Sequence, residues 1–192
     1  MLTTGRLILR PWNDADRAPC AAMTANPEVM RFFGITRDRP QSDAWIDRTV
    51  AHFAREGFGI WAVEAPGVAP FIGFVGLSRV PDWMPGAGGL EAVWTLDAPF
   101  WRRGYATEAA RAAIGYGYDR LGLSEILAFT AAANMPSQAV MRALGMTRDP
   151  TEDFDHPRVL EGTLRRHVLY RHHRSEGGSD ARYLLSPGGR PG

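Results

Sequence analysis

Residues 90–107, LEAVWTLDAPFWRRGYAT, decide how this chain is read, because in them a strand passes through a short arginine-rich turn directly into a helix. Residues 90–97 are rich in β-branched and aromatic side chains, as strands are. From Gly104 to Leu121 the period changes: Ala106, Ala110, Ala113, Ile114, Gly117 and Leu121 make one face, and Glu108, Arg111 and Asp119 make the other. The apolar face is built from unusually small residues, which suits a helix lying close against a sheet or a ligand. A helix start leaves its first backbone N–H groups unpaired and carries partial positive charge, so a pyrophosphate placed there accepts several hydrogen bonds at once. Gly104 would let phosphates approach without a Cβ in the way, and Arg102 and Arg103 add positive charge at the rim. Taken alone, a basic turn before a helix is more often solvated surface. The chain contains neither G-x-x-x-x-G-K-[ST] nor G-x-G-x-x-G, so the common ATP and dinucleotide loops lose ground.

Outward from this stretch, residues 125–130 form a short apolar strand and residues 136–144 a short helix stopped by Gly145; two strands then surround the turn near Glu161-Gly162, ending about Arg174. Upstream, residues 58–64 and 71–80 make a hairpin about Pro66-Gly67, followed by the turn-rich residues 81–89. Ser42 is read as the cap of a helix whose apolar face is Trp45, Ile46, Thr49, Val50 and Phe53, ending near Gly57. Residues 14–26 look helical, residues 28–33 add a short helix before Gly34, and residues 5–12 form a first strand closed by Pro11. The pattern predicts one mixed α/β domain over residues 1–174. In residues 175–192, seven of eighteen positions are Gly or Pro, which predicts a flexible tail.

A length of 192 residues suits a single domain, and no apolar run approaches the roughly 20 residues of a membrane helix. The first residues lack a secretory pattern and the one cysteine, Cys20, has no internal partner, so the expected location is the cytoplasm. All 22 basic residues are arginine, and with net charge +1 there is no global field to draw the chain onto nucleic acid or an anionic membrane. The arginine, alanine and glycine usage suggests a GC-rich bacterial genome.

Residues 100–109, Phe100-Trp101-Arg102-Arg103-Gly104-Tyr105-Ala106-Thr107-Glu108-Ala109, resemble the pyrophosphate loop of the GNAT acetyltransferases, most closely the branch that includes the ribosomal-protein N-terminal acetyltransferases. Residues 134–146, NMPSQAVMRALGM, are similar to the family's second motif, and residues 4–11, TGRLILRP, to the opening strand of that branch. The similarity extends over most of residues 4–171. Trp101 stands where the family's usual [QR]-x-x-G-x-[GA] loop begins, a departure this branch often tolerates.

The resemblance implies a fold of the α+β type, with a mixed, mostly antiparallel sheet splayed at its centre and helices on both faces. It implies N-acetyl transfer from acetyl-CoA to a primary amine by direct attack. Backbone N–H groups of Arg102, Arg103, Gly104, Tyr105, Ala106 and Thr107 would hold the pyrophosphate. The strand over residues 93–97 would splay to admit pantetheine, and a backbone donor near Trp94 to Leu96 would polarise the thioester carbonyl. Asn134 can contact the cofactor, cap the next helix, or serve both ends.

Direct attack needs a neutral amine, and at pH 7 deprotonation costs roughly 1 to 5 kcal/mol for amines with pKa values of about 8 to 10.4. Glu91, at the start of the splayed strand, is the first candidate for the base; its competing reading is a solvated strand-end carboxylate. Many members of the resembled family place a tyrosine in the second-motif helix to protonate the leaving thiolate; Met141 lies near that region here and no tyrosine does. Because the resembled N-terminal branch carries a serine at this motif position, the resemblance makes Ser137 the candidate acid, against the reading of an ordinary first-turn serine. His156 is a second-choice base. His167 and His173 share a strand parity that His172 does not, which argues against a metal site. Cys20 reads as packing, and the aromatic residues Phe32, Phe33, Trp45, Trp83 and Trp101 as core or acceptor-pocket lining.

The expected acceptor is a small-molecule amine or a peptide N-terminus, and the chain is expected as a monomer or homodimer. Two readings compete: a catalytically degenerate GNAT-fold acyl-CoA sensor or interaction module, and a nucleic-acid-binding domain, which the balanced charge disfavours.

Overall fold

In the computed structural model the described residues are 1–159, 161–174 and 183–185. Short strands β1 (Leu2–Thr3) and β2 (Ile8–Arg10) lead into helices α1 (Arg17–Ala25), α2 (Pro27–Met30) and α3 (Arg39–Glu56). Strands β3 (Ile60–Ala65), β4 (Ala69–Arg79) and β5 (Leu90–Leu96) form an antiparallel meander. Helix α4 (Tyr105–Arg120), β6 (Glu125–Ala131), α5 (Met135–Ala143), β7 (Phe154–Asp155), β8 (Arg166–His173) and β9 (Leu184–Leu185) follow.

Among the described residues these strands form one sheet in the order β7-β8-β6-β5-β4-β3-β2-β1-β9. Every neighbouring pair is antiparallel except β5 and β6, which run parallel because α4 carries the chain back between them. The sheet is therefore mixed and mostly antiparallel, with its single parallel junction in the middle.

Two apolar layers cover its faces. Alternation along β3 turns Trp61 and Val63 to one side and Ala62 to the other. The first side continues through Val75, Leu77, Ala92 and Ile126 and packs under Ala109, Ala110, Ala113 and Ile114 of α4. The second packs Ala62, Phe71 and Phe74 against Cys20, Met23 and Ile46 of α1 and α3. The small face expected of α4 is used for close approach: a Cβ on Gly117 would stand 2.7 Å from Ile126 Cδ1 and 3.0 Å from Leu77 Cδ1. Gly117→Val should therefore lower stability by about 2 kcal/mol through overpacking, measurable by urea denaturation.

The structure moves some boundaries. Helix α3 starts at Arg39, not near Ser42: Asp38 and Gln41 form a capping box, with Asp38 Oδ1 accepting the Gln41 N–H at 2.8 Å and Gln41 Oε1 accepting the Asp38 N–H at 3.0 Å. Ser42 lies inside the helix, buried, with its hydroxyl 3.6 Å from Cys20 Sγ. Asp14–Asp16 is a 3-10 turn ahead of α1, and β1 is a two-residue strand too short to carry a periodic signal. Within the expected tail, Leu184 and Leu185 pair with Thr3 and Leu2; its other residues, Tyr183 apart, lie outside the described ones.

Candidate active site

The parallel junction decides where a ligand can enter. Strands β6 and β8 are joined by seven successive residue pairs and β4 and β5 by another seven, whereas β5 and β6 meet at the single pair Glu91↔Leu127. Past that pair the strands diverge, and the β6-facing backbone of Val93 to Leu96 is left without a strand partner. This is a wedge with Glu91 at its apex, opening toward α4. Leu96 is buried, and Trp94, partly buried, packs against the core under α4, so Leu96 can serve a ligand through its backbone groups only.

At the wide end the turn before α4 adopts an unusual shape. Arg102 and Gly104 both have positive φ, 58° and 77°, and glycine takes that conformation at little cost. The first backbone bond of the helix is Glu108 N–H to the Gly104 carbonyl at 3.0 Å. The N–H groups of Arg102, Arg103, Gly104, Tyr105, Ala106 and Thr107 thus donate to nothing among the described residues. The guanidinium groups of Arg102 and Arg103 have no acidic partner among them either. Free donors, a helix N-terminus and two unpaired cations together fit a pyrophosphate. Trp101, which departs from the usual motif, holds the turn in place, since its indole N–H donates to the Leu96 carbonyl at 2.7 Å and fixes the turn to the end of β5.

A brace under this turn was not anticipated from the sequence. The Glu108 carboxylate accepts from Thr4 Oγ1 (2.6 Å), the Arg6 N–H (2.9 Å) and Arg6 Nε (2.7 Å). Arg6 also donates from Nη1 to the Arg103 carbonyl at 2.9 Å and lies over the Tyr105 ring, 4.9 Å from its centroid. Burial pushes the Glu108 carboxyl up, but the Thr4 and Arg6 hydrogen bonds outweigh it and hold the group below its ordinary value. Residues 4–6 are separated from Glu108 by about a hundred positions, a contact no local pattern reports. On the other flank, Arg111 donates to the Ala143 carbonyl at 2.9 Å and ties α4 to α5.

Asn134 caps α5, as Oδ1 accepts the Ser137 N–H at 3.2 Å and Nδ2 donates to Thr130 Oγ1 at 2.9 Å. The Ser137 hydroxyl has no partner among the described residues, and Met141 is fully buried.

Glu91 points to the face opposite α4, since Leu90 and Ala92 turn into the α4 core. On that face Leu127 joins Val80, Met84 and Leu169 in a separate apolar cluster, and residues 81–89 pack over it so closely that a Cβ on Gly86 would lie 2.3 Å from Leu127 Cδ1. The carboxyl has no hydrogen bond or ion pair among the described residues, and desolvation pushes its pKa up to about 8. A carboxylate held there is a far stronger proton acceptor than a solvated one.

His156 is a poorer base. Its Nδ1 accepts the Arg158 N–H at 3.2 Å, which leaves the proton of the neutral ring on Nε2, and its ring stacks 4.8 Å from His167. His172 and His173 are engaged elsewhere, near the Leu144 carbonyl and Glu125. No group of three or more His, Cys, Asp or Glu side chains suited to a metal occurs among the described residues. Cys20 is fully buried and burial raises its thiol pKa, as for a packing residue.

Residues 6–147 match the family model of the acetyltransferase (GNAT) domain. The chain belongs to the GNAT acetyltransferase family. Its resemblance to an FsC-acetyl coenzyme A-N(2)-transacetylase of Aspergillus fumigatus is 30% identity over 177 residues, 85% of this chain and 74% of the relative. An acetyltransferase from Agrobacterium tumefaciens superposes with a TM-score of 0.73 at 27% identity, covering 89% of this chain and 92% of that one. A ribosomal L7/L12 α-N-protein acetyltransferase in complex with coenzyme A shares the fold at 13% identity, with a TM-score of 0.71 over 89% and 96% of the two chains. No helix among the described residues is long and apolar enough to cross a membrane.

Proposed function

We propose that this GNAT enzyme moves the acetyl group of acetyl-CoA to a primary amine, of a small molecule or a peptide N-terminus, by direct attack on the thioester. The observation that carries the reading is the one-pair junction Glu91↔Leu127 standing beside a helix start with six N–H donors uncommitted among the described residues. Acetyl-CoA supplies the activated acyl group. The N–H groups from Arg102 to Thr107 hold its pyrophosphate, Arg102 and Arg103 balance its charge, and the open edge of β5 between Trp94 and Leu96 lines the path of the pantetheine and donates to the thioester carbonyl. Glu91 accepts the amine proton, directly or through one water, and the Ser137 hydroxyl donates to the departing sulfur. The Asn134 cap sets the direction of that first turn of α5. The chain acts as a monomer or homodimer in the cytoplasm, without nucleic acid.

The test is the melting temperature with and without millimolar acetyl-CoA, because a ligand bound only by the folded state must raise stability by mass action, about 4 kcal/mol at a thousandfold excess over Kd. A clear rise justifies screening amines by thiol release; no rise in folded protein removes the cofactor assignment and leaves the interaction-module reading. Ser137→Ala should cut turnover more than tenfold with the acetyl-CoA shift unchanged. Wild-type turnover in that variant would take the hydroxyl out of the mechanism.

A further inference from the structure

The segment between α2 and α3 carries a cation that has lost water without gaining an acid among the described residues. Arg37 is half-buried, and its guanidinium lies over the Trp45 ring, 5.3 Å from the centroid. Its side chain has no hydrogen bond or ion pair among the described residues. The nearby carboxylates are committed elsewhere: Asp38 caps α3, Asp43 pairs with Arg39 and Arg17, and Asp47 pairs with Arg17. Arg48, one turn after Trp45, adds like charge and also lacks an acidic partner among the described residues. Burial, chiefly, and Arg48 lower the Arg37 pKa; Cys20 acts in the opposite sense, and no carboxylate among the described residues does. Such a group is costly unless an anion comes to it.

Its position relates it to the reaction. Trp45 stacks on Phe74 at 4.5 Å, and Phe74 pairs across the ladder with Thr95. Thr95 and Glu91 have the same parity on β5 and so face the same side. Arg37, Trp45 and Phe74 thus form a column standing at one end of the face whose other end holds Glu91. Four strand residues separate Thr95 from Glu91, about 13 Å at roughly 3.3 Å per residue. The neighbouring cation on this side, Arg31, lies over the Phe32 and Trp101 rings at 4.8 and 5.6 Å and is likewise without an acidic partner among the described residues.

We propose that the acceptor carries a carboxylate which Arg37 binds against Trp45, several bonds away from the amine that is acetylated at the Glu91 end. This rests on the acetyltransferase reading and narrows its substrate class. A guanidinium already seated on an aromatic face presents its fork to a planar carboxylate at small entropic cost. The span excludes α-amino acids reacting at their α-amine and selects ω-amines of long amino acids or short peptides with a free C-terminus.

The test uses full-length protein, acetyl-CoA and a series of straight-chain ω-amino acids from glycine to the twelve-carbon member, each beside its carboxamide, together with short peptides as acid and amide. Expected is at least a tenfold advantage in kcat/KM for the acid over the amide among the long members, none for glycine, and loss of that advantage in Arg37→Ala. Arg37→Glu should invert the preference, favouring a diamine over the amino acid of equal length. The acetyl-CoA shift should be unchanged in both variants. Equal use of acids and amides, a preference that survives Arg37→Ala, or no turnover of any acid with the acetyl-CoA shift intact would each overturn the proposal while leaving the cofactor site standing. Absence of the shift in the wild type is instead a failure of the underlying reading.

Discussion

Gly104→Asp should abolish the acetyl-CoA-induced rise in melting temperature and raise the KM for acetyl-CoA at least a hundredfold. Two effects combine. The new carboxylate would stand at the N-terminus of α4, among the six N–H groups that are free among the described residues, where it would compete for donors and repel the pyrophosphate. It would also neutralise part of the charge from Arg102 and Arg103. The substitution should nevertheless fold, because Asp is among the residues best tolerated at positive φ, and the atom nearest its Cβ is the tip of Arg6, Nη2, at 3.3 Å. Gly104→Asn separates shape from charge: with the same outline and no charge it should retain a reduced shift. Equal loss in both variants would point to the backbone conformation rather than to repulsion, and an intact shift in Gly104→Asp would place the pyrophosphate elsewhere.

Glu91→Gln should cut turnover more than tenfold while leaving acetyl-CoA binding in place, and its effect on stability should depend on pH. The folded carboxyl titrates near 8, well above its ordinary value of 4.5, so about a tenth of the enzyme holds the base ionised at pH 7. The wild-type rate should rise with pH toward 8, and the part of that limb belonging to Glu91 should vanish in the variant. For stability, the folded state binds the proton more tightly than the unfolded chain does. No penalty exists below about pH 4.5; it grows as pH rises toward 8 and is complete beyond that. Glutamine does not titrate, so the variant should gain on the wild type from pH 5 to pH 8. After discounting for partial exposure, the gain is on the order of 1–3 kcal/mol. Urea denaturation at the two pH values measures it, and a pH-independent difference would show that the carboxyl titrates normally.

The strand, basic turn and helix start of the candidate site could be read from residues 90–107, because they are local patterns; the positive φ of Gly104 is not part of that reading, which asks only for a missing Cβ. The mixed sheet and its central splay came from resemblance rather than periodicity, and the strand order was not read at all, since parallel pairing of β5 with β6 is a non-local fact. Local signals also misled where they competed: Ser42 resembled a cap, but Asp38 and Gln41 form a reciprocal pair just ahead of it. Net charge hid the most specific feature. A chain balanced at +1 shows no patch in composition, yet among the described residues Arg37 is left without an acid, because Asp38, Asp43 and Asp47 are spent on a cap and on other arginines. Pairing is decided in three dimensions, and a sum over the sequence cannot report it.

The brace between Thr4, Arg6 and Glu108 makes the turn before α4 depend on whether residues 2–10 are docked. Edge segments open more readily than the centre of a sheet, and β1 and β2 are short strands near one end of this one. Each opening would release Arg6 from Glu108 and from the Arg103 carbonyl and let the turn relax. Linkage makes the dependence mutual: a cofactor that favours the ordered turn must also protect the docked strand. Slower amide hydrogen exchange at Leu7 and Leu9 in the presence of acetyl-CoA would be the signature.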